Sequence, residues 1–276
     1  MIGVMQGRLS KQRSQLIQEF PWETWQAEFS LAKEIGLGLI EWTVDYSKMH
    51  ENPIFLNNMR LIISDLVRIN NVQIQSITLD NFVSAPLHKL NPKTRRISSI
   101  DTLYWIIDQV SKSDIKILII PIVVENGGEN LETLTELKKK IALAQNYLSK
   151  KNLQIALECE LSIEKIEDLC ESFKNFDNVG FNFDIGNSAS LNNDPIHEIN
   201  TYGDKLFNVH IKDRLINGKT VPLGQGNAKF IEVFKELRKI GYSKNYVLQA
   251  ARIAEQDESI TVKQYIDFCF TSGLVL

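Results

Sequence analysis

The sequence has few cysteines and no apolar run long enough to cross a membrane. Cys159, Cys170 and Cys269 are widely spaced and form no C-x-x-C pair, which argues against a disulfide framework or structural zinc and favours a reducing compartment. The longest apolar runs, such as ILIIPIVV, are far shorter than the roughly 20 residues of a membrane helix. The first residues, MIGVMQGRLS, turn polar too early for a secretion signal. We therefore expect a cytoplasmic protein with no membrane partner.

An excess of positive charge and a low-complexity linker are also absent. The 31 Lys and Arg against 34 Asp and Glu give a net charge of −3, so the chain has no basic surface of the kind that nucleic acid requires. Small molecules are the expected partners. No charge block divides the chain, and we predict a single domain over residues 1–276. The sequence does not set the oligomeric state, and a homodimer is one option.

Eight short β-branched runs alternate with longer segments whose apolar residues have helical spacing. The predicted strands are Ile2 to Met5, Leu39 to Thr43, Val72 to Thr78, Ile117 to Val123, Gln154 to Glu158, Val179 to Asp184, Leu206 to Ile211 and Tyr246 to Gln249. The predicted helices lie near residues 22–36, 52–70, 93–113, 130–150, 163–174, 194–203, 228–240 and 260–271. This alternation implies parallel pairing and predicts an α/β fold, a closed (β/α)₈ TIM barrel. A doubly wound open sheet is the alternative, but its G-x-G-x-x-G turn after the first strand is missing.

Alternate residues of a barrel strand point to the barrel axis and to the surrounding helices. In LFNVHIKD, for example, we expect Phe207, Val209 and Ile211 to face the helices. The same division of the other strands leaves one set of polar residues pointing inward near the strands' carboxyl ends, where such barrels carry their catalytic sites. This inward set is Glu41 on strand two and Glu158, Asp184, His210 and Gln249 on strands five to eight.

The inward set on strands five to eight predicts a metal site. Any one of these residues has a structural explanation, because buried His is commonly hydrogen-bonded and an inward carboxylate often belongs to an ion pair. Together, however, two carboxylates, an imidazole and an amide oxygen suit a divalent cation such as Mn²⁺, Mg²⁺, Co²⁺ or Zn²⁺. We predict that Glu158, Asp184, His210 and Gln249 bind one such ion. Without it, the two carboxylates would repel and one would tend to keep its proton.

Further polar side chains follow the predicted strands and are candidates for substrate binding. They are Gln6, Arg8, Lys212, Arg214 and Arg252. The Arg guanidinium suits phosphate or carboxylate groups, although solvated surface charge explains any single one about as well. The glycines of PLGQGN precede a helix whose first turn suits an anion, and an ordinary turn explains them equally well.

Several motifs together resemble the xylose-isomerase-like TIM-barrel superfamily, specifically its sugar-phosphate isomerase/epimerase branch, which includes ketose 3-epimerases and hydroxypyruvate isomerase. In chain order they are GVMQGRLS, IEW, LECE, FDIGN, VHIKDR, VPLGQG and LQAAR. The resemblance implies a divalent metal held by Glu, Asp, His and a second Glu from strands five to eight, with the two Glu residues moving protons on opposite faces of the sugar. The first three match Glu158, Asp184 and His210. The fourth position is Gln249.

The chain departs from that pattern at three positions. Asn187 stands where the family usually has a substrate-binding His, and Arg214 is two residues closer to the His motif than the family's substrate-binding Arg. Gln249 has an oxygen to offer a metal but no proton to exchange near neutral pH, so it cannot be a general base. We therefore expect Glu158, or Glu41 from across the barrel, to take the proton α to a carbonyl that the metal polarises.

These features support a metal-dependent isomerase or epimerase of a small sugar, sugar phosphate or polyol. The same ligands also resemble inosose dehydratases, so a lyase is the alternative. Endonuclease IV shares the superfamily fold, but its three-zinc site needs many His ligands and this chain has four His in all. A catalytically degenerate barrel that binds sugar, marked by Gln249 and Asn187, is a further alternative.

Overall fold

A computed structural model shows a closed barrel of eight parallel strands. It describes residues 1–12, 18–87, 89, 98–123 and 131–276. The barrel strands are β1 (Ile2–Met5), β2 (Leu39–Thr43), β3 (Ser76–Thr78), β4 (Ile117–Ile122), β5 (Gln154–Cys159), β6 (Val179–Asp184), β7 (Leu206–Ile211) and β10 (Asn245–Leu248). Their order around the barrel is β1-β10-β7-β6-β5-β4-β3-β2. The (β/α)₈ prediction is confirmed, and β10 is the eighth barrel strand. A short antiparallel hairpin, β8 (Asp213–Arg214) and β9 (Thr220–Val221), follows β7.

Helices surround the barrel. They are α1 (Ala27–Glu34), α2 (Arg60–Asn70), α3 (Asn81–Ser84), α4 (Ser99–Val110), α5 (Leu131–Lys151), α6 (Ile163–Phe173), α7 (Ile185–Ser190), α8 (Pro195–Tyr202), α9 (Phe230–Lys239) and α10 (Glu258–Thr271). Predicted helix positions 93–97 and 130 lie outside the described residues. Among the described helices, none is long and apolar enough to span a membrane.

Several predicted elements are shorter in the structure, and the first helix, predicted near 22–36, is α-helical only over Ala27–Glu34. The predicted helix at 52–70 begins with 3₁₀ turns, Pro53–Phe55 and Asn57–Met59, and becomes α-helical only at Arg60. The reason is local, because the Asn52 side chain accepts the Ile54 N–H and caps a separate turn that starts at proline. Strand three begins at Ser76 rather than Val72, with a single earlier bridge between Gln73 and Leu39.

The apolar phase of the strands packs against the helices, as the alternation predicts. Ile155, Leu157 and Cys159 of β5 lie in one large core that includes residues of the surrounding helices. Smaller apolar groups that contain strand residues only, such as Ile117, Ile119 and Ala156, fill the barrel interior. The polar inward residues thus lie above a layer of apolar side chains inside the barrel.

Phe207 is an exception, and its predicted outward orientation is wrong. The pairing of β6 with β7 shifts register, so that Leu206 pairs with Phe181 and Asn208 with Asn182, which leaves Phe207 as an extra residue. Its side chain packs inside the barrel with Ile119 and Ala156. The neighbouring Gly180 makes room, since a Cβ there would lie 2.7 Å from the Phe207 ring. A bulge of this kind changes the inward phase without any signature in the hydrophobic pattern.

Candidate metal centre and active site

Three predicted ligands converge at the carboxyl ends of neighbouring strands. Glu158 lies on β5, Asp184 ends β6, and His210 lies on β7 directly beside Asp184 in the strand pairing. One potential ligand atom from each residue lies within 4.8 Å of the others. All three side chains are buried, so the apolar walls exclude most competing water.

Glu41 orients the histidine of this cluster. The Nε2 atom of His210 lies 2.7 Å from Oε1 of Glu41, and both side chains are completely buried. Glu41 also accepts hydrogen bonds from the Ser76 and Thr78 hydroxyls, at 2.6 and 2.8 Å, and from the Asn208 amide at 3.0 Å. Burial alone would raise the pKa of Glu41, but the charge and hydrogen bond of His210 and the two hydroxyls outweigh it and lower the pKa.

The remaining nitrogen of His210 provides the test for a metal. Nδ1 is buried and has no hydrogen-bond partner among the described residues, although Oε2 of Glu158 lies 3.2 Å away. Without a cation, burial would lower the pKa of His210, but the charges of Glu41 and Glu158 outweigh it and raise the pKa, so a proton on Nδ1 balances the facing carboxylate. A divalent ion bound by Nδ1 and the two carboxylates would take the place of that proton. The carboxylate–histidine–cation arrangement is common around protein-bound metals. The three residues therefore fit a divalent ion.

The two carboxylates of the cluster differ in proton affinity. Burial raises the pKa of Asp184, and the nearby charge of Glu158 raises it further, against the opposing effects of Lys212 and His210. For Glu158 the effect of burial is outweighed by the charge and hydrogen bond of His210 and by Lys212, so its pKa is lowered. The pKa values of the two carboxylates are therefore shifted in opposite directions, as expected for neighbouring acids without a cation between them.

Lys212 connects the cluster to Gln249 and Asn187. Its Nζ donates to Oδ2 of Asp184 at 2.9 Å, to Oδ1 of Asn187 at 3.3 Å and to Oε1 of Gln249 at 3.4 Å. Gln249 follows β10 and is buried, so its side-chain oxygen lies at the same end of the barrel as the acidic pair. The role of Gln249 as a fourth ligand stays a prediction, because Lys212 shares that oxygen.

Asn187 and Arg214 close one side of the cluster. Asn187 lies in α7, where its N–H donates to Oδ1 of Asp184 and its side-chain amide donates to Oε1 of Glu158 at 3.3 Å. Arg214, on the hairpin strand β8, donates to Oδ1 of Asn187 and to Glu160, each at 2.8 Å. The irregular hairpin thus brings Arg214 back to the site despite its shortened spacing from His210.

Gln6, Arg8 and Arg252 form a second group in the segments that follow β1 and β10. Arg252 donates to the carbonyl of Gly7. Burial and the nearby charge of Arg252 lower the pKa of Arg8 to about 9, so the two guanidinium groups lie close enough to repel. Gln6 is completely buried and accepts the Thr43 N–H. The structure therefore places the predicted cations in two groups, one with Lys212 and Arg214 and one with Arg8 and Arg252.

A buried acid outside the predicted set, Glu28, holds the segment after β1. Its carboxylate accepts the N–H groups of Gly7 and Leu9 and the Ser10 hydroxyl at about 3 Å. Burial raises the pKa of Glu28 to about 7, against those hydrogen bonds. Glu28 belongs to α1 and carried no sequence signal, because one acid in an amphipathic helix is ordinarily solvated.

The glycine loop after β9 binds the carboxylate of Asp213. The N–H groups of Gly224 and Gly226 both donate to Oδ2 of buried Asp213 at 2.9 Å. A Cβ at Gly226 would lie 2.1 Å from Oδ1 of Asp213. Of the two explanations open for this sequence, the structure favours the turn, which is built on Asp213.

Other inward polar residues complete the site and follow the same alternation. Asn182 on β6 donates to Oε2 of Glu158 at 3.3 Å, and Asn208 on β7 donates to Oδ1 of Asn182 at 2.9 Å. Ser76 and Thr78 on β3 bind Glu41. Period two on β6 and β7 already predicts that Asn182 and Asn208 point inward, and applying it to SITLD as well would have found Ser76 and Thr78.

The family model of the xylose isomerase-like TIM barrel matches residues 29–262 of this chain. A Haemophilus influenzae protein provisionally assigned as an L-ribulose-5-phosphate 3-epimerase is 24% identical over 241 residues, which are 82% of this chain and 83% of that protein. These two comparisons are sequence-based and cover most of the chain.

Solved structures share the architecture at low sequence identity. A D-psicose 3-epimerase from Clostridium cellulolyticum, solved with D-tagatose, has a TM-score of 0.75 at 13% identity over 99% of both chains. A 3-keto-D-glucoside 4-epimerase from E. coli has a TM-score of 0.72 at 14% identity over 98% of both chains. At these identities the structures support the same fold.

Proposed function

Because the chain belongs to the xylose isomerase-like TIM-barrel family, we propose that it is a metal-dependent epimerase or isomerase of a small ketose or ketose phosphate. The observation that carries this proposal is the buried Glu158, Asp184 and His210 cluster, in which one potential ligand atom from each residue lies within 4.8 Å of the others. The assignment of the Haemophilus influenzae relative and the activities named for the structural neighbours support the substrate class.

Glu158, Asp184 and His210 would hold the ion, with Gln249 as the proposed fourth ligand. When bound, a divalent ion supplies Lewis-acid polarisation of the substrate's carbonyl oxygen. Glu41 holds His210 in the tautomer that leaves Nδ1 available, through the 2.7 Å contact with Nε2. The ion identity would follow from the mixed oxygen and nitrogen donors, which suit Mn²⁺, Mg²⁺, Co²⁺ or Zn²⁺.

Glu158 is the proposed base for the proton α to the carbonyl. Its two oxygens accept the side-chain amides of Asn187 and Asn182, each at 3.3 Å, which fix the carboxylate in one orientation. The lowered pKa keeps it ionised at neutral pH, the form that accepts a proton. Glu41 is less suited to the base role, because four donors already occupy its oxygens.

Lys212 and Arg214 are proposed to orient the substrate's oxygens. The Lys212 side chain is 14% exposed and that of Arg214 17% exposed, so both border on the barrel mouth while anchored to Asp184 and Asn187. Arg8 follows β1 and Arg252 follows β10, which pairs directly with β7, and both are further candidates for binding a phosphate or hydroxyl group of the substrate. Cationic donors after three consecutive strands of the barrel suit a polyhydroxylated substrate with an anionic end.

A ketose panel tests this proposal. The protein, loaded with Mn²⁺, is incubated with D-fructose, D-tagatose, L-ribulose and L-ribulose 5-phosphate, and products are followed by NMR, which also detects loss of water. We expect epimer or isomer formation from at least one ketose. Glu158→Gln should abolish it, whereas Glu164→Gln, the same change at an exposed position of α6, should leave the rate unchanged. Dehydration as the dominant reaction, or ketose turnover unaffected by Glu158→Gln, would contradict the proposal.

A further inference from the structure

Epimerisation requires a proton to leave one face of a carbon and another to arrive on the opposite face. If the proposed function holds, Glu158 can act on one face only. Gln249, at the end of the eighth barrel strand, has no proton to exchange near neutral pH. A second proton-transfer group must therefore lie elsewhere around the mouth.

Asp80 lies at the carboxyl end of strand β3, directly before helix α3. Ser76 and Thr78 point into the barrel, since both donate to Glu41. Ile77 and Leu79 are completely buried in the core shared with the helices. At Asp80 the chain leaves the strand with helical backbone angles and enters α3. The Asp80 carboxyl lies close enough to Glu158, Arg8 and His210 to interact with their charges, which places it beside the inward residues at the mouth. β4 separates β3 from β5 in the barrel, so Asp80 approaches a substrate from a different side than Glu158.

The Asp80 carboxyl has a fixed backbone beside it, but one of its oxygens lacks a hydrogen-bond partner among the described residues. Its Oδ2 is inaccessible to solvent and has no hydrogen-bond partner in the part of the chain that the structure describes. The same holds for both side-chain polar atoms of Asn81, which is 1% exposed. The backbone is fixed at this point, because the Asn81 N–H donates to the Val44 carbonyl at 2.9 Å. Adjacent buried polar groups without partners indicate a bound polar ligand or water.

The surroundings of Asp80 raise its pKa, so it keeps its proton up to a higher pH than an ordinary Asp does. Burial raises the pKa of Asp80 to about 7, and the charges of Glu158 and Asp45 add to this effect, while Arg8 and His210 oppose it. A carboxyl with a pKa near neutrality exists in both forms at working pH, so it can give a proton in one direction and take one in the other.

We propose that Asp80 is the second catalytic acid/base, working against Glu158 from the β3 side of the barrel. In one direction Glu158 takes the proton from the carbon next to the carbonyl, and the electron pair of the C–H bond becomes the enolate. The O–H bond of Asp80 then breaks as a new C–H bond forms on the other face. This step leaves an ionised Asp80 and a protonated Glu158, and both return to their starting states by exchange with water. In the reverse direction the two residues exchange roles.

Deuterium exchange separates this role from a structural one. Each of the two epimers of the ketose that the Mn²⁺-loaded protein interconverts is incubated in D₂O with wild type and with Asp80→Asn. In the variant, we expect the epimer that Glu158 deprotonates to exchange deuterium within about tenfold of the wild-type rate. The other epimer should not exchange, and interconversion should fall about 100-fold or more.

Glu198→Gln serves as the matched control. Glu198 is also a buried carboxyl, and its pKa is raised to about 6. It differs from Asp80 because it lies on the outer helix α8, where it accepts a hydrogen bond from the Tyr202 hydroxyl. Glu198→Gln should leave exchange in both epimers nearly unchanged. If Asp80→Asn fails to fold, Asp80→Ser replaces it. Equal loss of exchange in both epimers, or undiminished interconversion, would overturn the role of Asp80. Failure of the wild type to convert any ketose would instead overturn the proposed function on which this role rests.

Discussion

Nε2 of His210 lies 2.7 Å from Oε1 of Glu41, and neither side chain is exposed. This contact crosses the barrel interior, since β10 and β1 separate β7 from β2 in the strand order. The orientation of a proposed ligand on one side of the barrel therefore depends on a carboxylate on the other. The hydroxyls of Ser76 and Thr78 fix that carboxylate in turn.

Glu41→Gln should weaken metal binding. An amide oxygen accepts the Nε2 proton of His210 more weakly than a carboxylate does, so His210 is held less firmly in the tautomer that leaves Nδ1 free. We expect the Kd for Mn²⁺, measured by titration calorimetry, to rise about 10- to 100-fold. Ser76→Ala is the control, because it removes one hydrogen bond to Glu41 and keeps the charge, and its effect should be smaller. An unchanged Kd in Glu41→Gln would show that Glu41 does not support the site.

The role of Gln249 as a ligand can be tested with one variant that should lower the Kd for Mn²⁺ and one that should raise it. Gln249→Glu adds a negative charge beside the proposed ion and should lower the Kd for Mn²⁺ about tenfold, because carboxylate attracts a divalent cation more strongly than an amide. Gln249→Met keeps the side-chain length and removes the oxygen, so the Kd should rise. If the Met variant binds Mn²⁺ as the wild type does, the ion has three protein ligands and Gln249 is not one of them.

Gly180→Ala should destabilise the fold. A Cβ at Gly180 would lie 2.3 Å from the Lys205 carbonyl oxygen and 2.7 Å from the ring of Phe207, which the bulge turns into the barrel. We expect the free energy of unfolding, from urea titration, to fall by about 1–3 kcal/mol or more. Gly38→Ala is the matched control, since its nearest contact is the Met1 sulfur at 3.7 Å. Equal stability of the two variants would mean that the interior adjusts around Phe207.

Glu28 should make stability depend on pH. Its folded pKa of about 7 exceeds the ordinary 4.5, so the folded state binds the proton more tightly. The resulting stabilisation is present below pH 4.5 and is lost as pH rises through 7, about 3 kcal/mol at most. In Glu28→Gln, urea unfolding at pH 5 and pH 8 should show a smaller decrease with pH than in wild type. An identical decrease would assign the pH dependence to other groups.

The sequence was sufficient to predict the barrel and the three residues of the acidic and histidine cluster. Both depend on period two and on strand order, which local residue patterns carry. Phe207 was predicted wrongly because a register shift between β6 and β7 inserts one residue, and the shift depends on pairing between strands. The hydrogen bond from the Gly7 N–H to Glu28 and the one from the Gly224 N–H to Asp213 also join segments that are distant in the sequence. Neither has a pattern in the local sequence.

Arg214 is a second residue whose position the local sequence does not determine. Its spacing from His210 is shorter than the family resemblance implies, and the hairpin of β8 and β9 still places it 2.8 Å from Asn187. Asp80 comes two residues after Thr78, but it has helical backbone angles at the start of α3, so period two alone does not place its side chain. Its missing hydrogen-bond partner is visible only once the surrounding strands are assembled.

The most direct test of the account is reconstitution of metal-free protein. The chain is stripped with a chelator, its fold is checked by circular dichroism, and ketose conversion is measured before and after adding Mn²⁺, Mg²⁺, Co²⁺ or Zn²⁺, with bound metal determined by mass spectrometry. We predict no conversion without metal, about one ion bound per chain, and conversion restored by at least one of the four ions. Asp184→Asn should lose both the ion and the conversion. A stripped, folded protein that binds none of these ions, or that converts the ketose equally well in chelator, would contradict the account.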